Sequence, residues 1–291
     1  MLHGTITALV TPFKDGRIDE DAYRAHIEWQ LEQGVNGLVP CGTTGESATM
    51  SHAEHESAIR ICIEQVRGRV PVIAGSGSNN TTEAISLTRF AKSAGADAAL
   101  LISPYYNKPT QEGIFRHFKA VSDAVDIPLI VYNVPGRTGS NILPATMARM
   151  ARELKNVAGC KEATANLVQI SNILEQCPDT FTLLSGDDFT VLPTYAVGGK
   201  GVISVTANVL PRMMSDLCRA CEAGDLAEAR RLHYALEPMN RAMFLESNPI
   251  PCKTALSLMG RMGGELRLPL CQPTDKTMTE LRAVLESYGL L

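Results

Sequence analysis

Eight short β-branched or apolar runs punctuate the sequence: GTITALV (4–10), GLVP (37–40), VPVIA (70–74), DAALLIS (97–103), PLIVYN (128–133), NVAGCK (156–161), FTLLS (181–185) and GVISV (201–205). Their starts lie about 20 to 34 residues apart, which leaves room for a helix between each pair. Helical patterns fill those gaps. DEDAYRAHIEWQLEQG opens on acids and closes on Gly34. TTEAISLTRFAKSAG offers Thr81 or Thr82 as a cap, puts Ala84, Ile85, Leu87, Thr88 and Ala91 on one face, and ends on Gly95. Strand–helix alternation of this kind builds a parallel sheet, and near-continuous apolar strands suit a sheet covered on both faces. Eight units point to an α/β fold of the closed (β/α)8 TIM-barrel type rather than an open doubly wound sheet. The open fold's dinucleotide fingerprint is also missing. GSGSNN (75–80) has Gly75 and Gly77 but no third glycine at the right offset, and no Gly-Lys-Ser/Thr follows. From about Val209 onward the pattern is helical, at 211–222, 225–243, 249–260 and 275–288. The expected organisation is a barrel carrying the site over 1–208 and a C-terminal helical region over 209–291.

The chain of 291 residues is long enough for one such barrel, and 45% hydrophobic with 20% charged residues is an ordinary globular balance. A net charge of −4 supplies no basic field, so no nucleic-acid partner is expected. No apolar run approaches the ~18 residues of a membrane span. The opening MLHGTITALVTPFKDG lacks a basic segment followed by a long apolar core, so no secretory signal and a cytoplasmic location are expected. Eight scattered cysteines inside apolar patterns read as buried thiols rather than a disulfide framework. Cys218 and Cys221 have redox or half-zinc spacing, but no second pair stands nearby.

In a (β/α)8 barrel the chemistry sits at the carboxyl ends of the strands. The second run is followed by CGTTGES, the fourth by PYYNKP, the fifth by YNVPGRTG and the seventh by SGDD; the sixth ends on Lys161. Hydroxyls, phenols, one arginine and one lysine therefore converge on one face. Singly, each has a plainer reading. Gly42-Thr43-Thr44-Gly45 suits a turn, with Glu46 as a capping acid. Tyr132 suits a core aromatic, Arg137 a surface charge, and Lys161 the first solvated residue after its strand. Together they make a site. Backbone N–H groups and the Thr43 and Thr44 hydroxyls beside a helix start form a seat for a carboxylate. The turn at Pro135-Gly136 aims Arg137. A lysine in an apolar barrel mouth has its neutral form favoured, and the neutral amine is the nucleophile that forms a Schiff base with a carbonyl. The protonated imine is an electron sink, so neither metal nor cofactor is required. Tyr132 can shuttle protons. These parts suit an aldolase-type reaction on a 2-oxo acid.

CGTTGES, YYNKP, YNVPGRTG and GCKEAT, in this order and spacing, resemble the dihydrodipicolinate synthase family of the N-acetylneuraminate lyase superfamily, over effectively the whole chain from about Gly4. The resemblance implies condensation of pyruvate with L-aspartate 4-semialdehyde in lysine and diaminopimelate biosynthesis. It implies that Lys161 forms the Schiff base and that Thr43 and Thr44 hold the pyruvate carboxylate. Thr44, Tyr132 and Tyr106 would relay protons, with Tyr106 supplied by a neighbouring subunit of a homotetramer. Arg137 would receive the semialdehyde carboxylate, and the backbone carbonyl of Ile203 would line the pocket. The resemblance also implies an L-lysine effector site at Ser47, Ala48, His52, His55, Asn79, Glu83 and Tyr105. His52-Ala-Glu-His55 has metal-like spacing, but no carboxylate motif completes it. Two rival readings stand beside this one. Another Schiff-base 2-oxo acid aldolase, of the sialic-acid or 2-keto-3-deoxygluconate type, would keep Lys161 but would not need Arg137. A non-catalytic barrel sensor would lack Lys161 or Tyr132.

Overall fold

The computed structural model describes residues 2–291. Eight parallel strands form the barrel: β1 (Gly4–Ala8), β2 (Gly37–Val39), β3 (Ile73–Gly75), β4 (Ala98–Ile102), β5 (Leu129–Asn133), β6 (Val157–Glu162), β7 (Thr182–Ser185) and β8 (Gly201–Ser204). Each pairs with its sequence neighbour, β8 pairs with β1, and a Leu38–Val72 bridge joins β2 to β3 and closes the ring. All eight expected strands are present. A two-stranded hairpin, Phe13–Lys14 with Arg17–Ile18, follows β1.

Side chains alternate between two environments, as the pleat requires. Ile130 and Tyr132 point into the barrel with Ile6, Val39, Leu100, Leu184 and Ile203. Leu129 and Val131 point outward and pack with Leu101, Phe118, Met147 and Cys160 beneath the helices. The interior is thus a filled apolar plug, and any polar inward residue at a strand end faces the mouth.

The outer ring is α1 (Glu20–Glu32), α2 (His52–Val66), α3 (Thr81–Ala94), α4 (Gln111–Ala124), α5 (Pro144–Glu153), α6 (Leu167–Gln176), α7 (Val191–Ala196) and α8 (Pro211–Glu222). Asp19 caps α1, accepting from the Ala22 N–H, and Ser51 and Glu54 form a reciprocal capping box on α2. The cap of α3 is Asn80, whose Oδ1 accepts from Thr82 and Glu83, rather than Thr81 or Thr82; Gly95 ends that helix in the left-handed region at φ 96°.

Beyond the ring lie α9 (Leu226–Ala242), α10 (Ile250–Leu258) and α11 (Asp275–Ser287). Met214, Leu217 and Cys218 of α8 pack with Val202 of β8 and with Ala229 and Leu232 of α9. A division at 208/209 thus falls between the eighth strand and its own helix. Val10, Val205 and Val209 share a core with Met239, Cys252, Leu256 and Leu281, so the C-terminal helices lean on the barrel mouth. Among the described residues no helix is long and apolar enough to cross a membrane, and all eight cysteines are free thiols.

Candidate active site

Lys161 is the fifth residue of β6. Cys160 faces outward into the core under the helices, so the pleat turns Lys161 inward. It stands opposite Tyr132 of β5 and Leu184 of β7 and is only 5% exposed. Its Nζ lies 4.4 Å from the Tyr132 ring centroid. The solvated, snorkelling reading of this lysine is therefore excluded. Gly186, just after β7, makes room for it: a Cβ there would come within 2.7 Å of Ala163 Cβ and 3.0 Å of Lys161 Cγ. Burial pulls the Lys161 pKa down to about 8; Asp188 opposes the shift and Arg137 adds to it. Burial pushes the Tyr132 phenol up to about 12 against the Arg137 charge and a Thr43 hydrogen bond, so it stays an O–H donor at neutral pH.

Asp188 follows on the same loop. Its Oδ2 accepts from the Val205 and Thr206 N–H groups, both at 3.0 Å, while its Oδ1 is buried without a hydrogen-bond partner among the described residues. Burial raises its pKa; Ser204, the two N–H groups and Lys161 oppose that.

The Thr43–Thr44 loop is a tight turn, with Gly45 N–H donating to Gly42 O and Glu46 N–H to Thr43 O, both at 3.1 Å. It leads into a single 3-10 turn, Ser47–Thr49, while α2 begins later, at His52, with Ser51 as its cap. Glu46 is not a capping acid. It sits at φ 56°, and its buried carboxylate instead takes the Lys253 ammonium at 2.6 Å and the Arg267 N–H at 3.2 Å. The loop is thus held from the C-terminal helices. Thr44 is 2% exposed, and its Oγ1 accepts from Asn248 Nδ2 at 2.9 Å. Arg137 lies on a one-turn helix, Pro135–Thr138, and donates to the Asn248 carbonyl at 3.3 Å.

Two adjoining cavities result. One of about 200 Å³ is lined by Thr43, Thr44, Tyr132, Arg137, Lys161 and Asp187, among others. The other, about 440 Å³, shares Thr43, Tyr132 and Arg137 and extends to Ser47, Ala48, His52, His55, Glu83 and Tyr105. His52 Nε2 bonds Glu83 Oε1 at 2.8 Å, and Ser78 also donates to Glu83. Those two hydrogen bonds hold the Glu83 carboxyl below its usual range. Burial drives His55 to about 4.

Three expected site residues lie outside these cavities. Asn79 donates to the Tyr105 carbonyl at 3.1 Å, beside the larger cavity. Ile203 is buried in the barrel plug, in the same cluster as Tyr132, and lines neither cavity. Tyr106 is 89% exposed, at φ 71°, and lines neither cavity.

Residues 1–288 match the dihydrodipicolinate synthetase family. The chain belongs to that family. It is 66% identical over 288 residues to a 4-hydroxy-tetrahydrodipicolinate synthase of Nitratidesulfovibrio vulgaris, covering 99% of both chains. Its fold matches the crystal structure of the chloride-inhibited dihydrodipicolinate synthase of Acinetobacter baumannii complexed with pyruvate, at TM-score 0.98 and 43% identity over 100% of both chains. It also matches DHDPS from Cyanidioschyzon merolae with lysine bound, at TM-score 0.96 and 38% identity over 99% of both chains.

Within this synthase-family chain, residues that sequence reasoning did not single out complete the site. Gly186, Asp187 and Asp188 come from the SGDD segment, which marks a strand end without assigning roles. Asn248 and Lys253 come from the C-terminal region, where a helical pattern carries no hint of contact with the second strand's loop.

Proposed function

We propose that this chain is a 4-hydroxy-tetrahydrodipicolinate synthase, condensing pyruvate with L-aspartate 4-semialdehyde in lysine and diaminopimelate biosynthesis. The observation that carries the reading is Lys161: an inward, buried amine with its pKa brought down to about 8, in one cavity with two threonine hydroxyls, a phenol and an arginine. The neutral amine adds to the pyruvate carbonyl and loses water to give an iminium. Loss of a methyl proton gives the enamine, whose carbon attacks the aldehyde. The amino group of the semialdehyde then displaces Lys161 from the imine carbon, which closes the ring and frees the enzyme. Thr43 and Thr44 hold the pyruvate carboxylate, and Tyr132 with Thr44 carries protons. Arg137 receives the second carboxylate in a charge-assisted pair. The exposed Tyr106 suits a phenol delivered across a subunit boundary, in a homotetramer. L-lysine as an effector suits the larger cavity, with its Glu83 carboxylate. Eight free thiols suit the reducing cytoplasm.

The test is a coupled assay with pyruvate and L-aspartate 4-semialdehyde, run beside N-acetylneuraminate cleavage. Borohydride with pyruvate should add one adduct per chain, on Lys161. Arg137→Ala should lower efficiency with the semialdehyde about tenfold or more, since a charge-assisted bond contributes about 1.5–3 kcal/mol, and should spare the adduct. Neuraminate cleavage without condensation, or an adduct on another lysine, would overturn the reading.

A further inference from the structure

Asn248 stands 204 residues from Thr44 in sequence, yet its amide reaches the Thr44 hydroxyl. It sits just before α10, is 5% exposed, and lines both cavities. Its Nδ2 donates to Thr44 Oγ1 at 2.9 Å, while its Oδ1 is buried with no partner among the described residues. A buried amide with one end unsatisfied is costly, so a residue there that served only to fill space would be better apolar. The bond has a directional consequence. A hydroxyl oxygen that accepts from an N–H keeps its own proton free for another acceptor. With Asn248 on one side, the Thr44 O–H is left to donate into the cavity that holds Tyr132 and Lys161.

We infer that the Asn248 side chain is a positioning residue for the condensation: its N–H fixes the Thr44 hydroxyl so that the proton faces the cavity. This rests on the reading of Thr44 as a proton-relay group. The Arg137 bond is to the Asn248 backbone carbonyl, so side-chain substitutions leave it in place and isolate the effect on Thr44.

The experiment is a double-mutant cycle on the full-length protein, with kcat for condensation as the readout. Asn248→Ala should lower kcat about tenfold or more in the wild-type background. In a Thr44→Val background, where the acceptor is gone, the same change should cost less than about twofold, because both substitutions break one interaction. Asn248→Asp keeps the shape but has no N–H and accepts the Thr44 proton instead; its kcat should fall at least as far as that of Asn248→Ala. If Asn248→Ala does not fold, as judged by its melting transition, Asn248→Asp in the same two backgrounds reads the same coupling. Equal losses in both backgrounds, or an Asn248→Asp enzyme within twofold of wild type, would overturn the inference. An inactive wild type would remove the functional reading itself, and this inference with it. An active wild type with additive losses removes this inference alone.

Discussion

Tyr132 and Lys161 face each other as direct partners on adjacent parallel strands, with the lysine Nζ 4.4 Å from the centre of the phenol ring. One residue thereby desolvates the other. The ring face gives the ammonium some cation–π attraction, but removal from water outweighs it, and the net shift is downward. The second consequence is geometric. An imine formed at Nζ grows beside a phenol that is protonated at working pH, which is where a proton donor is needed.

The first prediction is a pH dependence. The Lys161 pKa is lowered from 10.5 to about 8, so about one amine in ten is neutral at pH 7, against fewer than about one in a thousand for a free lysine. Neutral amine is the attacking species. The rate of borohydride-trappable adduct formation with pyruvate should therefore rise about tenfold per pH unit up to about pH 8 and level off above it. Asp188 favours the charged form, so Asp188→Asn should move the midpoint to lower pH. A midpoint near that of free lysine, or an Asp188→Asn shift upward, contradicts this account.

The second prediction concerns the Glu46–Lys253 pair, both fully buried and 2.6 Å apart. Burial lowers the Lys253 pKa even though Glu46 pulls it up. Breaking one partner of a buried pair leaves an uncompensated charge, at a cost of about 3–5 kcal/mol. Lys253→Met should lower the urea midpoint accordingly. Adding Glu46→Gln should recover part of the loss, because no charge is then stranded. If Lys253→Met is as stable as wild type, the pair is not holding the threonine loop.

Much of this architecture was legible because it is periodic. Eight apolar runs at helix-sized intervals specify a closed barrel, and the same pleat that puts Cys160 outward puts Lys161 inward. The strand-end position of Lys161, Tyr132 and the Thr43–Thr44 turn follows from that alone. What periodicity cannot carry is contact between distant loops. The Glu46–Lys253 bond spans 207 residues and the Asn248–Thr44 bond 204. Neither leaves a local trace, since Glu46 looks like a capping acid and Asn248 like a turn residue before proline. The α3 cap was missed by one residue for a related reason. Asn80, Thr81 and Thr82 can all cap, and only the backbone path selects Asn80.

The third prediction is acid lability. Burial holds His26, His55 and His117 each at about 4, against 6.5 for a free imidazole. Between those limits the unfolded chain binds more protons than the native one, so stability falls as the pH drops from about 6.5 to about 4. Each histidine contributes up to about 3 kcal/mol of that loss. Urea midpoints measured across this window should decline steeply. His117→Gln should flatten the slope, because glutamine binds no proton in this window, and its amide can keep the Thr81 bond that His117 Nδ1 makes at 3.0 Å. An unchanged slope would remove His117 from this account; carboxylates with depressed pKa values cannot supply the loss, since Glu54, held at about 2 by Arg267, gives up its contribution only below about pH 4.5.

The last prediction concerns control by L-lysine. That molecule brings two ammonium groups and one carboxylate, and the larger cavity offers matching chemistry. Glu83 supplies a carboxylate kept ionised by Ser78 and His52. His55 is neutral above about pH 4, so it lines the cavity without repelling a cation. Ser47 and Ala48 bring backbone groups to the same wall. A route to the chemistry is also present. Asn79 Nδ2 bonds the Tyr105 carbonyl at 3.1 Å, and Asn107 Nδ2 bonds the Asn79 carbonyl at 3.0 Å, so the segment bearing Tyr106 is tied to this wall. Lysine should therefore inhibit partially, and raising the semialdehyde concentration should not relieve it. Coupling of about 1–3 kcal/mol, or about 5- to 150-fold in affinity, is typical of such a link. Calorimetric titration should show binding at millimolar lysine to wild type and none to Glu83→Ala, and the variant's activity should be insensitive to lysine. If wild type takes up no lysine, or Glu83→Ala is inhibited as strongly, the larger cavity is not an effector site, and the catalytic assignment of Lys161 stands apart from that result.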